Sequence, residues 1–209
     1  MDDWLIFSIG FLSQILFSSR ILIQWVKSEK SKKVVTPLIF WQLSLFASFL
    51  LFIYGWLRND FAIMLGQVIT YFIYIRNLQI ENYWTKFPVV IRAMLFVVPI
   101  GILIYGFNNN VVNLDLLLKN EDIPIWLVIL GSVAQIVFTG RFVYQWIYSE
   151  SKKTSSLPLG FWILSLSGSS LVIIYAILRQ DPVLLVGHIF GFFVYIRNIH
   201  LLNKSRNEY

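Results

Sequence analysis

Residues 10–80 of this 209-residue chain recur as residues 131–201, and the two copies align without a gap at a constant offset of 121. About 30 of the 71 paired positions are identical. Gln14, Phe17, Arg20, Gln24, Trp25, Ser28 and Glu29 return as Gln135, Phe138, Arg141, Gln145, Trp146, Ser149 and Glu150. Pro37, Trp41, Ser44, Gly66, Tyr74 and Asn77 return as Pro158, Trp162, Ser165, Gly187, Tyr195 and Asn198. Such a chain is expected to fold as two similar halves, and membrane proteins built that way place a site where the halves meet.

Composition decides the medium. Apolar residues make up 57% of the chain and charged residues 13%, against about 25% charged in a soluble domain. Seven apolar runs of about 20 residues, over 4–26, 38–57, 61–80, 88–107, 123–148, 159–178 and 183–202, are each long enough to cross hydrocarbon as a helix. Strand-like alternation is absent, and a segment in lipid must satisfy its own backbone, so helices are the expected form. The first run follows Asp2 and Asp3 rather than a basic stretch and lacks a small-residue cleavage site, so it reads as a retained helix and not a signal peptide. There is no cysteine, which excludes disulfides, thiolate chemistry and Cys-based metal sites.

Twelve of the 17 Lys and Arg fall on the side of the first loop and three (Arg58, Lys119, Arg179) on the other, while Arg20 and Arg141 fall inside spans. Basic loops stay cytoplasmic, so the N-terminus is expected outside and the C-terminus inside. The +6 balance is then mostly topology; it suits anionic membrane lipids as a partner and gives no indication of nucleic acid. Three spans per copy is an odd number, so directly joined copies would point in opposite directions. The run over 88–107 restores a common orientation. The expected fold is an all-α integral membrane protein of seven transmembrane helices, with two parallel three-helix bundles joined by a linker helix. Its parts are a first repeat over 1–82, a linker helix and polar external loop over 83–122, a second repeat over 123–203 and a cytoplasmic tail over 204–209. Pro99 is expected to kink the linker helix, which matches neither copy and reads as a tether.

The repeated polar residues form stripes. At 100° per residue, Gly10, Gln14, Phe17, Arg20, Gln24 and Ser28 fall within about 120° of one another, and the fifth span repeats the pattern. In the third span Gly66, Gln67, Thr70, Tyr74 and Asn77 share one face, as Gly187, His188, Gly191, Tyr195 and Asn198 do in the seventh. Trp41 and Ser44 start the stripe of the second span, Trp162 and Ser165 that of the sixth. Polar faces are costly against lipid, so they are expected to converge inside the bundle. Arg20 and Arg141 have no Asp or Glu within the spans to neutralise them; Glu29 and Glu150 at the inner mouth are the nearest candidates. A planar guanidinium without an internal carboxylate suits phosphate; the alternative is that both snorkel to headgroups. Gln14, Gln135, Gln24 and Gln145 read equally as substrate contacts or interhelical bonds. Trp25, Trp146, Tyr74 and Tyr195 read as substrate contacts or as an interfacial aromatic belt. Gln67 and its counterpart His188 complete the candidates, with His188 a hydrogen-bonding group before a proton relay.

No Gly-rich phosphate loop, nucleophile–His–Asp set, metal-ligand cluster or soluble segment of nucleotide-sugar-domain size is present in the sequence. No cofactor or metal is expected, and a carrier is favoured over an enzyme.

The string 14–20, followed by Gln24-Trp25, Ser28-Glu29, Lys32, Pro37, Phe40-Trp41, Ser44, Tyr54, Arg58, Asp60, Gly66 and 74–77, resembles the lipid A biosynthesis N-terminal domain, and the second half resembles it again. That family is fused to some lipid-A-disaccharide synthases and is similar to PQ-loop proteins such as the SWEET sugar transporters, whose 3+1+3 arrangement the seven spans match. No Pro-Gln pair occurs in this chain; the Arg/Gln/Trp set stands in its place. The resemblance implies a bacterial inner membrane location and a flippase-like carrier of a phosphate-bearing, lipid-linked sugar. Arg20 and Arg141 would hold the phosphate, and the Gln residues, Asn77, Asn198 and the aromatics (Trp41 and Trp162 among them) the sugar. The alternatives are a SWEET-like carrier of a small uncharged sugar and a non-transporting membrane partner of a glycosyltransferase.

Overall fold

The structure is a computed structural model that describes residues 3–58, 61–108 and 124–207. The expected external loop, Lys119 included, and the Asn59-Asp60 part of the first external turn lie outside the described residues. Seven α-helices appear among the described residues: α1 Asp3–Ser31, α2 Leu38–Leu57, α3 Phe61–Ile80, α4 Val89–Asn108, α5 Ile125–Lys152, α6 Leu159–Arg179 and α7 Pro182–Asn207. A 3-10 turn, Trp84–Lys86, leads into α4. Five of the seven (α1, α2, α5, α6 and α7) contain stretches long and apolar enough to cross a membrane. The chain is a multi-pass helical membrane protein.

Equivalent residues start and stop equivalent helices. Pro37 and Pro158 sit at the N-caps of α2 and α6 in extended backbone (ψ 148° and 167°), where a missing N–H costs nothing. Lys32 and Lys153, at φ 55° and 54°, end α1 and α5 in the left-handed region, which breaks the helical hydrogen-bond pattern. Both helices run past the last residue of their apolar runs, because backbone bonding continues through charged side chains that reach water at the membrane edge.

Within each repeat the middle helix packs on both neighbours, α1–α2–α3 and α5–α6–α7. The repeats meet at two seams, α1 against α7 and α3 against α5. Six helices therefore close a ring, and their polar stripes turn inward: Ser13, Gln24, Ser28, Ser44, Ser48 and Asn77 are all fully buried. Large apolar side chains cover the outside, with Ile136 at 70% exposure and Phe193 at 66%. In lipid these gain nothing by turning inward, so small residues and hydrogen bonds hold the helices together.

α4 lies outside the ring against the first repeat. The Tyr71 hydroxyl donates to the Leu95 carbonyl at 2.9 Å, Phe96 packs on Phe72 and Trp84, and Trp56 stacks on Tyr105. Pro99 lies inside α4, which stays helical through it.

Candidate functional site

The ring encloses a cavity of about 80 Å³, room for several waters. Arg20 and Arg141, each 3% exposed, line it together with Gln14, Gln135, Gln67, His188, Tyr74 and Tyr195. The intramembrane Arg pair thus faces inward, away from lipid.

Neither guanidinium has an acidic partner among the described residues. Arg20 Nη1 donates to Ser44 Oγ at 2.5 Å and Arg141 Nη1 to the Tyr195 hydroxyl at 3.1 Å. The Nε of each is buried without a hydrogen-bond partner. Aromatic faces take the place of counter-ions. Arg20 lies 4.5 Å from the Phe17 centroid and 4.9 Å from that of Phe40, and Arg141 lies 3.4 Å from that of Phe138. Phe142 serves both, at 5.3 Å from Arg20 and 4.7 Å from Arg141, which caps the separation of the two guanidinium carbons at about 10 Å. Each cation–π contact contributes up to about 2 kcal/mol when desolvated, and each guanidinium lies over four rings, which offsets much of the several kcal/mol that burying an ion costs; the mutual repulsion of the two like charges has no acidic group to offset it among the described residues.

Glu29 and Glu150 are not the counter-ions of Arg20 and Arg141. Glu29 is bridged by Arg197 and Glu150 by Arg76, both across seams, with partly exposed side chains. The reason is reach: Glu29 lies more than two turns beyond Arg20 on the same helix, at the rim, where the partner repeat presents a closer cation.

Two amide clusters close the cavity at this basic end. Gln24 Nε2 donates to Asn198 Oδ1 at 3.0 Å and to Ser28 Oγ at 2.9 Å. Gln145 Nε2 donates to Asn77 Oδ1 at 2.9 Å and to Ser149 Oγ at 2.8 Å. All four amides are fully buried and bond across seams, so they join the halves rather than line the cavity. At the other end a second cavity, of about 100 Å³, includes Arg58, Arg179, Tyr54 and Tyr175 in its wall. The equivalent pair Ile63 and Leu184 borders both cavities.

The remaining candidates divide. Tyr74 and Tyr195, 1% and 3% exposed, belong to the cavity wall and not to an interfacial belt, because their stripe faces the ring interior. Trp25 and Trp146 sit at the rim and donate to Glu29 and Glu150. Trp41 and Trp162 are buried in the aromatic core beside the cavity, packed on Tyr74 and Tyr195. Phe142, Thr139, Ile63 and Leu184 also line the cavity. Comparison of the copies misses Phe142 because the first copy has Ile21 at that position.

The repeated glycines have a packing role. A Cβ on Gly66 would collide with the Gln135 amide, and one on Gly187 with that of Gln14. Gln14 and Gln135 are therefore each seated against a glycine of the other repeat.

A family model described as Lipid A Biosynthesis N-terminal domain matches this chain twice, over residues 9–79 and 130–200. The two matches cover most of the chain, which belongs to that family. The chain is 31% identical over 213 residues to the lipid-A-disaccharide synthase of Chlamydia pneumoniae, covering 98% of this chain and 35% of that protein. It is 29% identical to that of Chlamydia felis, covering 96% of this chain and 33% of that protein. The chain thus spans about a third of the length of the curated relatives it matches. No solved structure matches it. It is a membrane protein related to lipid A biosynthesis.

Proposed function

We propose that this protein carries a phosphate-bearing, lipid-linked sugar or a related lipid A glycolipid precursor across the bacterial inner membrane. The observation that carries the reading is the pair of buried guanidiniums, without carboxylate partners among the described residues, that share the Phe142 ring inside one cavity. Seven crossings in a 3+1+3 order, with the basic side cytoplasmic, fit the helix order and the charge bias. The cavity is then shut on the cytoplasmic side by the amide clusters and rim ion pairs, and Ile63 and Leu184 border both it and the outer vestibule. Transport needs the seam bonds Gln24–Asn198, Gln145–Asn77, Glu29–Arg197 and Glu150–Arg76 to break as one repeat rocks against the other. The acyl chains would stay in lipid while the phosphate crosses on Arg20 and Arg141.

The test is flux of a fluorescent polyprenyl-phosphate sugar between leaflets of vesicles holding the purified chain. Wild-type protein should accelerate loss of the label protected in the inner leaflet, and Arg20→Gln or Arg141→Gln should cut the rate about tenfold or more, as loss of a charge-assisted bond implies. Unchanged flux in both variants would remove the anion site.

A second reading is a non-transporting membrane module that holds a glycolipid for a glycosyltransferase. It is favoured by relatives named as synthases in which the matched segment is about a third of the protein. It predicts binding of the same lipid without flux, and co-purification with such an enzyme.

A further inference from the structure

The cavity offers more than cationic donors. Four of its lining residues carry a buried polar atom without a partner: Nε of Arg20 and of Arg141, Oε1 of Gln67, and Nε2 of His188. Two are donors and two are acceptors. A buried group left unpaired is unfavourable, and one here and there is common, but four around one cavity describe the complement of a ligand. A bare anion engages the donors and offers nothing to the acceptors.

Gln67 and His188 occupy equivalent positions, in α3 and α7, and each is at least nine-tenths buried. They differ in freedom. Gln67 can turn its amide to present either oxygen or nitrogen. The His188 ring has less choice. Its Nδ1 lies 2.8 Å from the Leu184 carbonyl, which can only accept, so Nδ1 carries the proton and the neutral ring presents Nε2 as a bare lone pair. The ring is also held by Phe138, whose centroid is 4.6 Å from its own, and the same Phe138 ring lies 3.4 Å from the Arg141 guanidinium. A fixed cation and a fixed acceptor therefore flank one aromatic ring, within about 8 Å of each other.

We infer that the ligand carries hydrogen-bond donors beside its phosphate, as a sugar phosphate with hydroxyl or amide N–H groups does, and that His188 Nε2 accepts from one of them while Arg141 holds the phosphate. This rests on the anion site proposed above and narrows its substrate class: phosphate esters of plain alcohols and lipids without such donors bind less well. His188 is then the specificity residue, because it shares the Phe138 ring with the Arg141 that holds the phosphate; Gln67 is its equivalent in the opposite repeat.

Two soluble probes of like shape separate the effects, N-acetylglucosamine 1-phosphate and cyclohexyl phosphate, titrated into the full chain in detergent micelles. Both have a six-membered ring and a phosphate, and only the first has ring donors. Wild-type protein should bind the sugar phosphate about tenfold more tightly, the scale of one buried acceptor satisfied rather than stranded. His188→Leu should abolish that preference, the larger loss falling on the sugar phosphate. His188→Gln, the residue of the equivalent position, should restore it through its own acceptor. Arg141→Gln should weaken both probes alike. Equal wild-type affinity for the two probes, or a preference that survives in His188→Leu, overturns this inference and leaves the anion site standing. Wild-type protein that takes up neither probe overturns both. If His188→Leu does not fold, the wild-type comparison decides alone.

Discussion

Asn77→Leu should destabilise the protein more than Asn198→Leu, although the two asparagines occupy equivalent positions. Asn77 donates to the Ile73 carbonyl at 2.9 Å and to Gln145 Oε1 at 3.2 Å, and accepts from Gln145 Nε2 at 2.9 Å. Asn198 repeats this set with the Val194 carbonyl and Gln24. Leucine removes three bonds in either case and strands a buried glutamine oxygen. With interhelical bonds in membranes averaging about 0.6 kcal/mol and a stranded acceptor costing about 1–3 kcal/mol, the shared loss is roughly 3–5 kcal/mol. Asn77 has one bond more, from Ser155 Oγ to its Oδ1 at 2.7 Å. The equivalent of Ser155 is Val34, which has no hydroxyl. Ser155 is part-buried near the membrane edge, where water can replace the lost partner, so the difference between the variants should be about 0.5–1 kcal/mol. Titration of the purified protein from mild detergent into SDS, followed by the fluorescence of its 8 Trp, measures both. In a Ser155→Val background the two costs should become equal, as a double-mutant cycle requires. Equal costs with Ser155 in place, or a larger cost for Asn198→Leu, would refute the assignment of that bond.

Two further outcomes follow from places where the repeats differ. Gly168→Ala should destabilise by about 1–3 kcal/mol in the same titration, because its Cβ would lie 2.7 Å from the Phe138 Cα, a backbone atom with nowhere to go; Ala47, at the same position of the first repeat, shows that the cost belongs to the α5–α6 contact and not to the motif. Trp162→Phe should cost about 1 kcal/mol more than Trp41→Phe, since both rings are equally buried but only the Trp162 indole N–H has an acceptor, the Leu157 carbonyl at 3.2 Å.

Much of this protein is written in one dimension. The apolar runs over 38–57 and 61–80 coincide with α2 and α3, because in lipid the length of an apolar segment and the need to pair its backbone leave a helix as the remaining form. The inward course of the polar stripes was equally legible: an Arg or Gln in a span has no low-energy alternative to the bundle interior. What the stripe could not say is which of its members touch the cavity. Gln14 and Gln24 are the same residue type on the same face of α1, yet one faces the space left by Gly187 and the other meets Asn198. That outcome depends on what the opposite repeat places at each depth, and so does the pairing of Glu29 with Arg197, 168 residues away. Phe142, shared by both guanidiniums, and the fixed lone pair of His188 were also beyond reach of the sequence. The first is set by contacts across the axis, and the second by the Leu184 carbonyl one turn away and the Phe138 ring of the same repeat; only the closing of the ring brings both to a common point.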